Sequence, residues 1–131
     1  MDVQIIDIPK ITDPRGNLAV IEKDTIPFDM HRVYYLYDVP SSSHRGGHAH
    51  KELHQLLVAL SGSFDVVLND GKEKKVITLN KPDKGLLIPT MIWRELENFS
   101  SGAVCMVVAS HEFDEDDYIR DYDQFVALAQ S

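Results

Sequence analysis

Apolar and polar residues alternate in short runs along most of the chain, and a period of two predicts strands rather than helices. Val3 to Ile8 is predicted as a first strand. Thr12 to Asn17 is a turn by its Asp, Pro, Gly and Asn content, and Leu18 to Glu22 follows as a second strand. His31 to Val39 is rich in aromatic and β-branched residues and sets Val33, Tyr35 and Tyr37 on one face. Pro40 to His44 reads as a loop. Ser63 to Leu68 and Glu73 to Leu79 flank Asn69, Asp70 and Gly71, a hairpin signal. Asn80 to Lys84 is a further loop. Gly85 to Pro89 and Ile92 to Phe99 are paired strands broken at Pro89, and Ala103 to Ala109 is a buried strand. Only the tail reads as helix: the acidic run Asp114 to Asp117 favours a helix start, and Tyr118, Tyr122, Phe125 and Val126 recur at helical spacing. Many short strands with one terminal helix predict an all-β barrel or double-sheet jelly roll carrying a short C-terminal α-helix.

The stretch Arg45 to Gly62 stands apart because it mixes this pattern with chemistry. It holds His48, His50 and His54, with His44 just ahead of it. If Lys51 to Leu60 is a strand, the three imidazoles share a face with Leu56, Val58 and Leu60. One face would then run from reactive mouth to filled interior. A solvated, His-rich strand edge is the bland alternative.

Composition narrows the function class. The chain has 131 residues, 44% hydrophobic and 26% charged, which is one domain over 1–131 with enough apolar content for a core. No apolar run approaches a membrane span, and the first residues lack the pattern of a signal peptide, so a cytoplasmic protein is expected. Cys105, the lone cysteine, lies in an apolar strand and is read as core. A net charge of −8 argues against nucleic acid or an anionic membrane as partner. An anionic small molecule needs basic residues gathered locally. Trp93 falls on the opposite face from Arg94 and is expected to pack.

The spacing His48-x-His50, then His54 and Gly62, followed by Gly85-x3-Pro89-x4-Arg94-x3-Asn98, resembles the two motifs of the cupin superfamily. More narrowly, Asp13 to Gly16, Arg32 to Tyr35, Arg45 to Lys51, Trp93 to Leu96, Asn98 to Ser101 and Asp117 to Tyr122 resemble the dTDP-sugar 3,4-ketoisomerases. The resemblance runs from about the tenth residue to the end of the chain. It implies a cupin-type double-stranded β-helix, a homodimer, and conversion of dTDP-4-keto-6-deoxy-D-glucose to a 3-keto sugar on the way to a 3-amino sugar. No cofactor is expected.

Enediol chemistry of this kind calls for two groups titrating near neutrality and held close together, which suits imidazole. By resemblance His50 is the carbon base and His48 the oxygen proton shuttle, and the two roles can be exchanged. The diphosphate calls for cations: Arg15, Arg45 and Lys51, with Arg120 carried over from the family. Tyr35 and Tyr37 are expected to line the sugar or base pocket, and His54 and Arg94 complete the expected substrate-binding set. Metal-binding cupins usually place Glu and His where this chain has His54 and Arg94, and a guanidinium repels a divalent cation. No metal is therefore expected. Two rival readings are a metal enzyme using His48, His50 and His54, and a non-catalytic nucleotide-sugar-binding cupin. A 3,5-epimerase is a further rival with similar proton chemistry. Arg94 looks more like the branch that retains the gluco configuration at C4 than the galacto branch.

Overall fold

A computed structural model describes residues 1–130. In chain order the strands are β1 (Gln4–Asp7), β2 (Lys10–Asp13), β3 (Gly16–Ala19), β4 (Arg32–Leu36), β5 (Arg45–His50) and β6 (Gln55–Ser61). They continue with β7 (Phe64–Asn69), β8 (Lys74–Leu79), β9 (Lys84–Ile88), β10 (Trp93–Glu97), β11 (Val104–Ala109) and β12 (Tyr118–Ile119), and the helix α1 (Tyr122–Ala129) closes the chain. Two five-stranded antiparallel sheets form, ordered β1-β9-β6-β11-β4 and β12-β5-β10-β7-β8, and β2 and β3 pair as a separate hairpin. This is the predicted all-β jelly roll with a short terminal helix.

Inward-facing residues of both sheets make one core, which includes Leu57, Phe64, Val66, Leu68, Leu86, Ile88, Leu96 and Val107. Phe64 and Phe99 stack within it at 5.3 Å between ring centroids. The outer face of the first sheet has its own apolar cluster, in which Leu56, Val58, Leu87 and Val108 pack under Ile8, Ile26 and Phe28. Cys105 is fully buried, and burial pushes its thiol up to about 12, so it behaves as a core hydrophobe. Trp93 packs outside the second sheet with Ala49, Ile119 and Phe125, as its strand parity predicts.

The predicted turn of Thr12 to Asn17 narrows to Pro14 and Arg15 between β2 and β3, and the strand after it ends at Ala19 rather than Glu22. Two larger sequence expectations need correction. The histidine stretch is two strands in different sheets, because the chain leaves β5 at His50 and enters β6 at Gln55. Lys51 to His54 form the crossing. Its backbone is satisfied from the far end of the chain: Asp117 accepts from the Glu52 and Leu53 amides at 2.8 and 3.3 Å, and Ser110 Oγ accepts from the His54 amide at 2.8 Å. The second correction concerns the tail. Asp114 to Asp117 make a cap and a single 3₁₀ turn, Tyr118 and Ile119 join β5 as a strand, and helix α1 begins only after Asp121 accepts from the Gln124 amide at 3.0 Å. Tyr118 is therefore a strand residue.

Gly62 joins β6 to β7 at φ +64°, where a Cβ would sit 2.4 Å from Ser100 Oγ and 2.9 Å from Ala103 Cα. Ser100 Oγ also accepts from the Ser63 amide at 2.8 Å. The Gly62→Ala variant is expected to lose about 2–4 kcal/mol from strained φ and crowding together. A lowered urea midpoint at unchanged slope would show it; a variant as stable as the parent would mean that the Ser100 turn gives way without cost.

Candidate active site

Register alone brings the reactive residues together. On the second sheet, His48 of β5 lies opposite Arg94 of β10, and His50 lies opposite Tyr118 of β12, so all four share the inward face. The β5–β10 register skips Gly47, between His48 opposite Arg94 and Gly46 opposite Glu95. Gly46, at φ +88°, lets the strands close there, since a Cβ on it would lie 3.0 Å from the Arg94 carbonyl oxygen. Across the barrel, β4 turns Arg32, Tyr34 and Leu36 inward, and β6 turns Gln55 and Leu57 inward. The β4 and β6 side chains, with His48, Arg94, Leu96, Val107, Tyr118, His44, Arg45 and Arg120, line a cavity of about 420 Å³. That is room for a sugar-sized ligand.

The imidazoles are held apart in orientation but close in space. His48 and His50 meet edge to face at 4.9 Å between centroids, and Tyr118 lies 4.9 Å from one ring and 4.4 Å from the other. Neutral His50 donates its Nδ1–H to Asp117 Oδ2 at 3.1 Å, the same carboxylate that pins the strand crossing. That contact leaves the His50 Nε2 lone pair free. The Nε2 atoms of both histidines are buried without a protein partner. Burial, followed by the neighbouring Arg94 charge, pushes both imidazoles down to about 3. Both rings therefore rest in the base form at neutral pH.

Arg94 is the unusual cation. Its side chain is 2% exposed and has no carboxylate partner; Nε and Nη2 donate to the Ile92 carbonyl at 3.1 and 2.9 Å, and Nη1 donates to Gln55 Oε1 at 2.6 Å. Burial pushes its guanidinium down to about 10, which still leaves it charged at neutral pH. Gln55 in turn donates from Nε2 to the Tyr34 hydroxyl at 3.1 Å, and burial raises the Tyr34 phenol. Arg32 lies 4.5 Å above the Tyr34 ring, and its Nη1 is buried with no partner. At the rim Arg120 makes a bidentate pair with Glu115 at 2.6 and 2.8 Å while resting over Tyr118. The cavity wall thus carries Arg32, Arg45, Arg94 and Arg120 and no carboxylate. It is built to receive an anion.

A family model described as FdtA: WxcM-like, C-terminal matches residues 1–130. The chain belongs to this FdtA family. It is 48% identical over 126 residues to a TDP-4-oxo-6-deoxy-α-D-glucose-3,4-oxoisomerase of Aneurinibacillus thermoaerophilus, an alignment spanning 95% of this chain and 91% of that one. The crystal structure of QdtA, a sugar 3,4-ketoisomerase from Thermoanaerobacterium thermosaccharolyticum in complex with TDP, is 45% identical. It matches with a TM-score of 0.97 over 98% of this chain and 95% of that one. The WlaRB TDP-quinovose 3,4-ketoisomerase structure from Campylobacter jejuni is 46% identical, with a TM-score of 0.92 over 96% and 98% of the two chains.

Within this FdtA-type barrel the sequence-predicted site residues divide. His48, Arg45, Arg94 and Arg120 line the cavity, and His50 is fully buried behind it against His48 and Tyr118. Tyr35 and Tyr37 do not line it: the inward parity belongs to Arg32, Tyr34 and Leu36, and the two tyrosines, each 61% exposed, line a neighbouring hollow with His44 and Arg45, Tyr35 on the outer face of β4 and Tyr37 just past its end. His54 sits at the strand crossing with its ring stacked on Phe28 at 6.3 Å, away from the other two imidazoles. Among the described residues no three His, Cys, Asp or Glu side chains converge as a metal site, so the His48, His50, His54 ligand set is not assembled. Lys51 donates to the Asp116 carbonyl at 3.2 Å, and Arg15 pairs with Asp13 on the exposed β2–β3 hairpin; neither lines the cavity of its own chain. Leu56 and Val58, expected beside the histidines, face the outer cluster, and Leu60 is exposed. Arg32, Tyr34, Gln55, Asp117 and Tyr118 were not marked by the sequence reading. The blocks Arg32 to Tyr35 and Asp117 to Tyr122 stand out in the sequence only through the family resemblance.

Both histidines bind fewer protons folded than unfolded below about pH 6.5, so their contribution to stability is lost as pH falls toward 3. Each adds at most about 1.4 kcal/mol per pH unit to that slope, shared across the coupled pair. Thermal midpoints measured from about pH 7 to about pH 4 should fall more steeply for the parent than for the His48→Asn, His50→Asn variant. Parallel slopes would show that the imidazoles are not held neutral.

Proposed function

We propose that this protein is a sugar-nucleotide 3,4-ketoisomerase that moves the ketone of TDP-4-keto-6-deoxy-glucose from C4 to C3. The observation that carries this reading is the pair of neutral imidazoles with unpartnered Nε2 atoms: His48 lines the cavity with a buried Arg94 that no carboxylate touches, and His50 meets the His48 ring edge to face at 4.9 Å. A 45% identical ketoisomerase binds TDP in its crystal structure, and a variant of it has been solved with TDP-4-keto-6-deoxyglucose.

The chemistry follows from the geometry. The C4 carbonyl acidifies the C3 proton, and an imidazole in base form takes that proton at Nε2. The electron pair becomes the C3–C4 double bond of an enediolate, with charge on O4 opposite the Arg94 guanidinium. That charge favours imidazolium just when it forms, which offsets the burial that disfavours it in the resting site. The O3 proton leaves, O4 is protonated, and the imidazolium returns a proton to C4. No electron leaves the sugar, so proton carriers suffice. His50, oriented by Asp117, fits the carbon base, and His48 beside it fits the oxygen shuttle. Arg45 and Arg120 at the rim suit the diphosphate.

Retention of the gluco configuration at C4 is the product we favour, because Arg94 stands where the galacto branch differs and a 46% identical relative is a TDP-quinovose ketoisomerase. A homodimer fits the surface: β4 is an outermost strand whose Val33, Tyr35 and Tyr37 are 57–61% exposed in a row, and Ile11 and Leu18 add exposed apolar area on the hairpin. Sedimentation should give twice the chain mass, 29.6 kDa from 14.8 kDa per chain. A nucleotide-sugar substrate supports a cytoplasmic location.

NMR of TDP-4-keto-6-deoxy-glucose in D₂O with EDTA-treated protein tests the reaction. A 3-keto sugar carrying deuterium at C4 is expected, and the C4 coupling pattern reads gluco or galacto. Deuterium at C3 or C5 with the ketone unmoved would make the protein an epimerase; binding with no exchange at all would make it a binding module. His50→Asn should lower kcat by about 10²–10⁴-fold while TDP affinity stays within a few-fold.

A further inference from the structure

We infer that Gln55 is a positioning residue whose amide fixes the direction of the Tyr34 hydroxyl, so that the phenol donates its proton into the cavity. This rests on the reading of the cavity as the ketoisomerase site. Gln55 is 2% exposed, and its two polar ends are spoken for by different partners. Arg94 is anchored first, because Nε and Nη2 chelate the Ile92 carbonyl and prevent the planar guanidinium from turning. A guanidinium only donates. The group it meets at 2.6 Å must therefore be the amide oxygen, and that choice sets the whole amide.

With Oε1 toward Arg94, Nε2 faces the Tyr34 hydroxyl at 3.1 Å. An amide nitrogen only donates, so the phenol oxygen accepts. Its own proton is then available, and among the described residues no acceptor takes it. Tyr34 lines the cavity beside Leu57 and Val107, its row neighbours across β11. The hydroxyl proton is thus presented to a ligand oxygen. A directed chain results: Ile92 carbonyl, Arg94, Gln55, Tyr34, ligand. With its amide engaged by Arg94 and Tyr34, Gln55 acts through Tyr34 and decides whether that hydroxyl meets the sugar as donor or acceptor. Gln55 opposes the burial that raises the phenol, so the same contact eases build-up of charge on the Tyr34 oxygen as its proton is shared.

The Gln55→Glu variant tests this at nearly constant volume. Its carboxylate still accepts from Arg94, but its second oxygen can only accept, which draws the Tyr34 proton away from the cavity. We expect kcat to fall about 10–100-fold, the loss of roughly one hydrogen bond to developing charge, with KM little changed. Tyr34→Phe should fall similarly, and the double variant no further than either alone. Spectroscopic titration, taken as the difference from the Tyr34→Phe protein, should show the Tyr34 phenol raised in Gln55→Glu. Gln55→Met, which fills the space without either hydrogen bond, should also lose kcat and provides a second variant of similar size. A Gln55→Glu enzyme with parental kcat, losses that multiply in the double variant, or an unmoved Tyr34 titration would each overturn the inference. The titration needs no substrate, so it still decides on Gln55 if the parent protein fails to isomerise the sugar.

Discussion

A guanidinium buried inside a β-barrel without a carboxylate is the constraint on which the rest of this structure depends. Burying a lone charge is among the most expensive things a fold can do, and the usual remedy is an ion pair. Here Arg94 has only neutral oxygens, the Ile92 carbonyl twice and Gln55 once. These contacts satisfy its hydrogen-bonding geometry, and the Asp117 carboxylate opposes its charge only through space, without touching it. An anion entering the cavity would meet that charge directly. His48 and His50 stay neutral in part because Arg94 stands beside them, and Tyr34 is reached from Arg94 through Gln55.

Asp117 carries the complementary burden. One carboxylate orients His50 and also holds the amides of Glu52 and Leu53, where the chain leaves one sheet for the other. Catalytic orientation and strand crossing are thereby one piece of structure. The short β12 segment follows directly, pairing Tyr118 with His50, and Asp121 then starts the helix that covers Trp93 through Phe125. The tail is a clamp on the histidine strand rather than an appendage to the barrel.

What was legible in the sequence followed from local physics. Alternation, Asp70-Gly71 turn chemistry and the apolar Cys105 strand all reappear as β7, β8 and β11. The burial of Trp93 against the inward Arg94 also followed from parity within one strand. What failed depended on distant partners. Nothing in Lys51 to His54 resembles a turn, since no Gly or Pro marks it, and the break is made by Asp117 and Ser110 from about sixty residues away. Once that break is missed, parity inverts: Gln55 and Leu57 face inward instead of Leu56 and Val58. That Tyr34 rather than Tyr35 or Tyr37 lines this cavity was not legible for a related reason, because an aromatic run with tyrosines at adjacent positions satisfies either face. Only the sheet neighbours decide which parity is interior.

The electrostatics settle a tension that composition alone leaves open. A chain of net charge −8 is an unpromising receptor for a diphosphate, since its overall field repels anions. The cavity reverses that field locally, with four arginines on its wall and no carboxylate. Arg120 is engaged with Glu115 at a rim where both side chains are about half exposed, so that pair is held weakly against solvent. A diphosphate offers the same planar fork more charge than a carboxylate does, and exchanging Glu115 for phosphate leaves Arg120 no less satisfied. Arg94 has no such partner to surrender. In the proposed reaction rim and floor would therefore divide the work: the rim would exchange one anion for another, and the floor would offer its charge to an oxyanion that exists only while the reaction is under way.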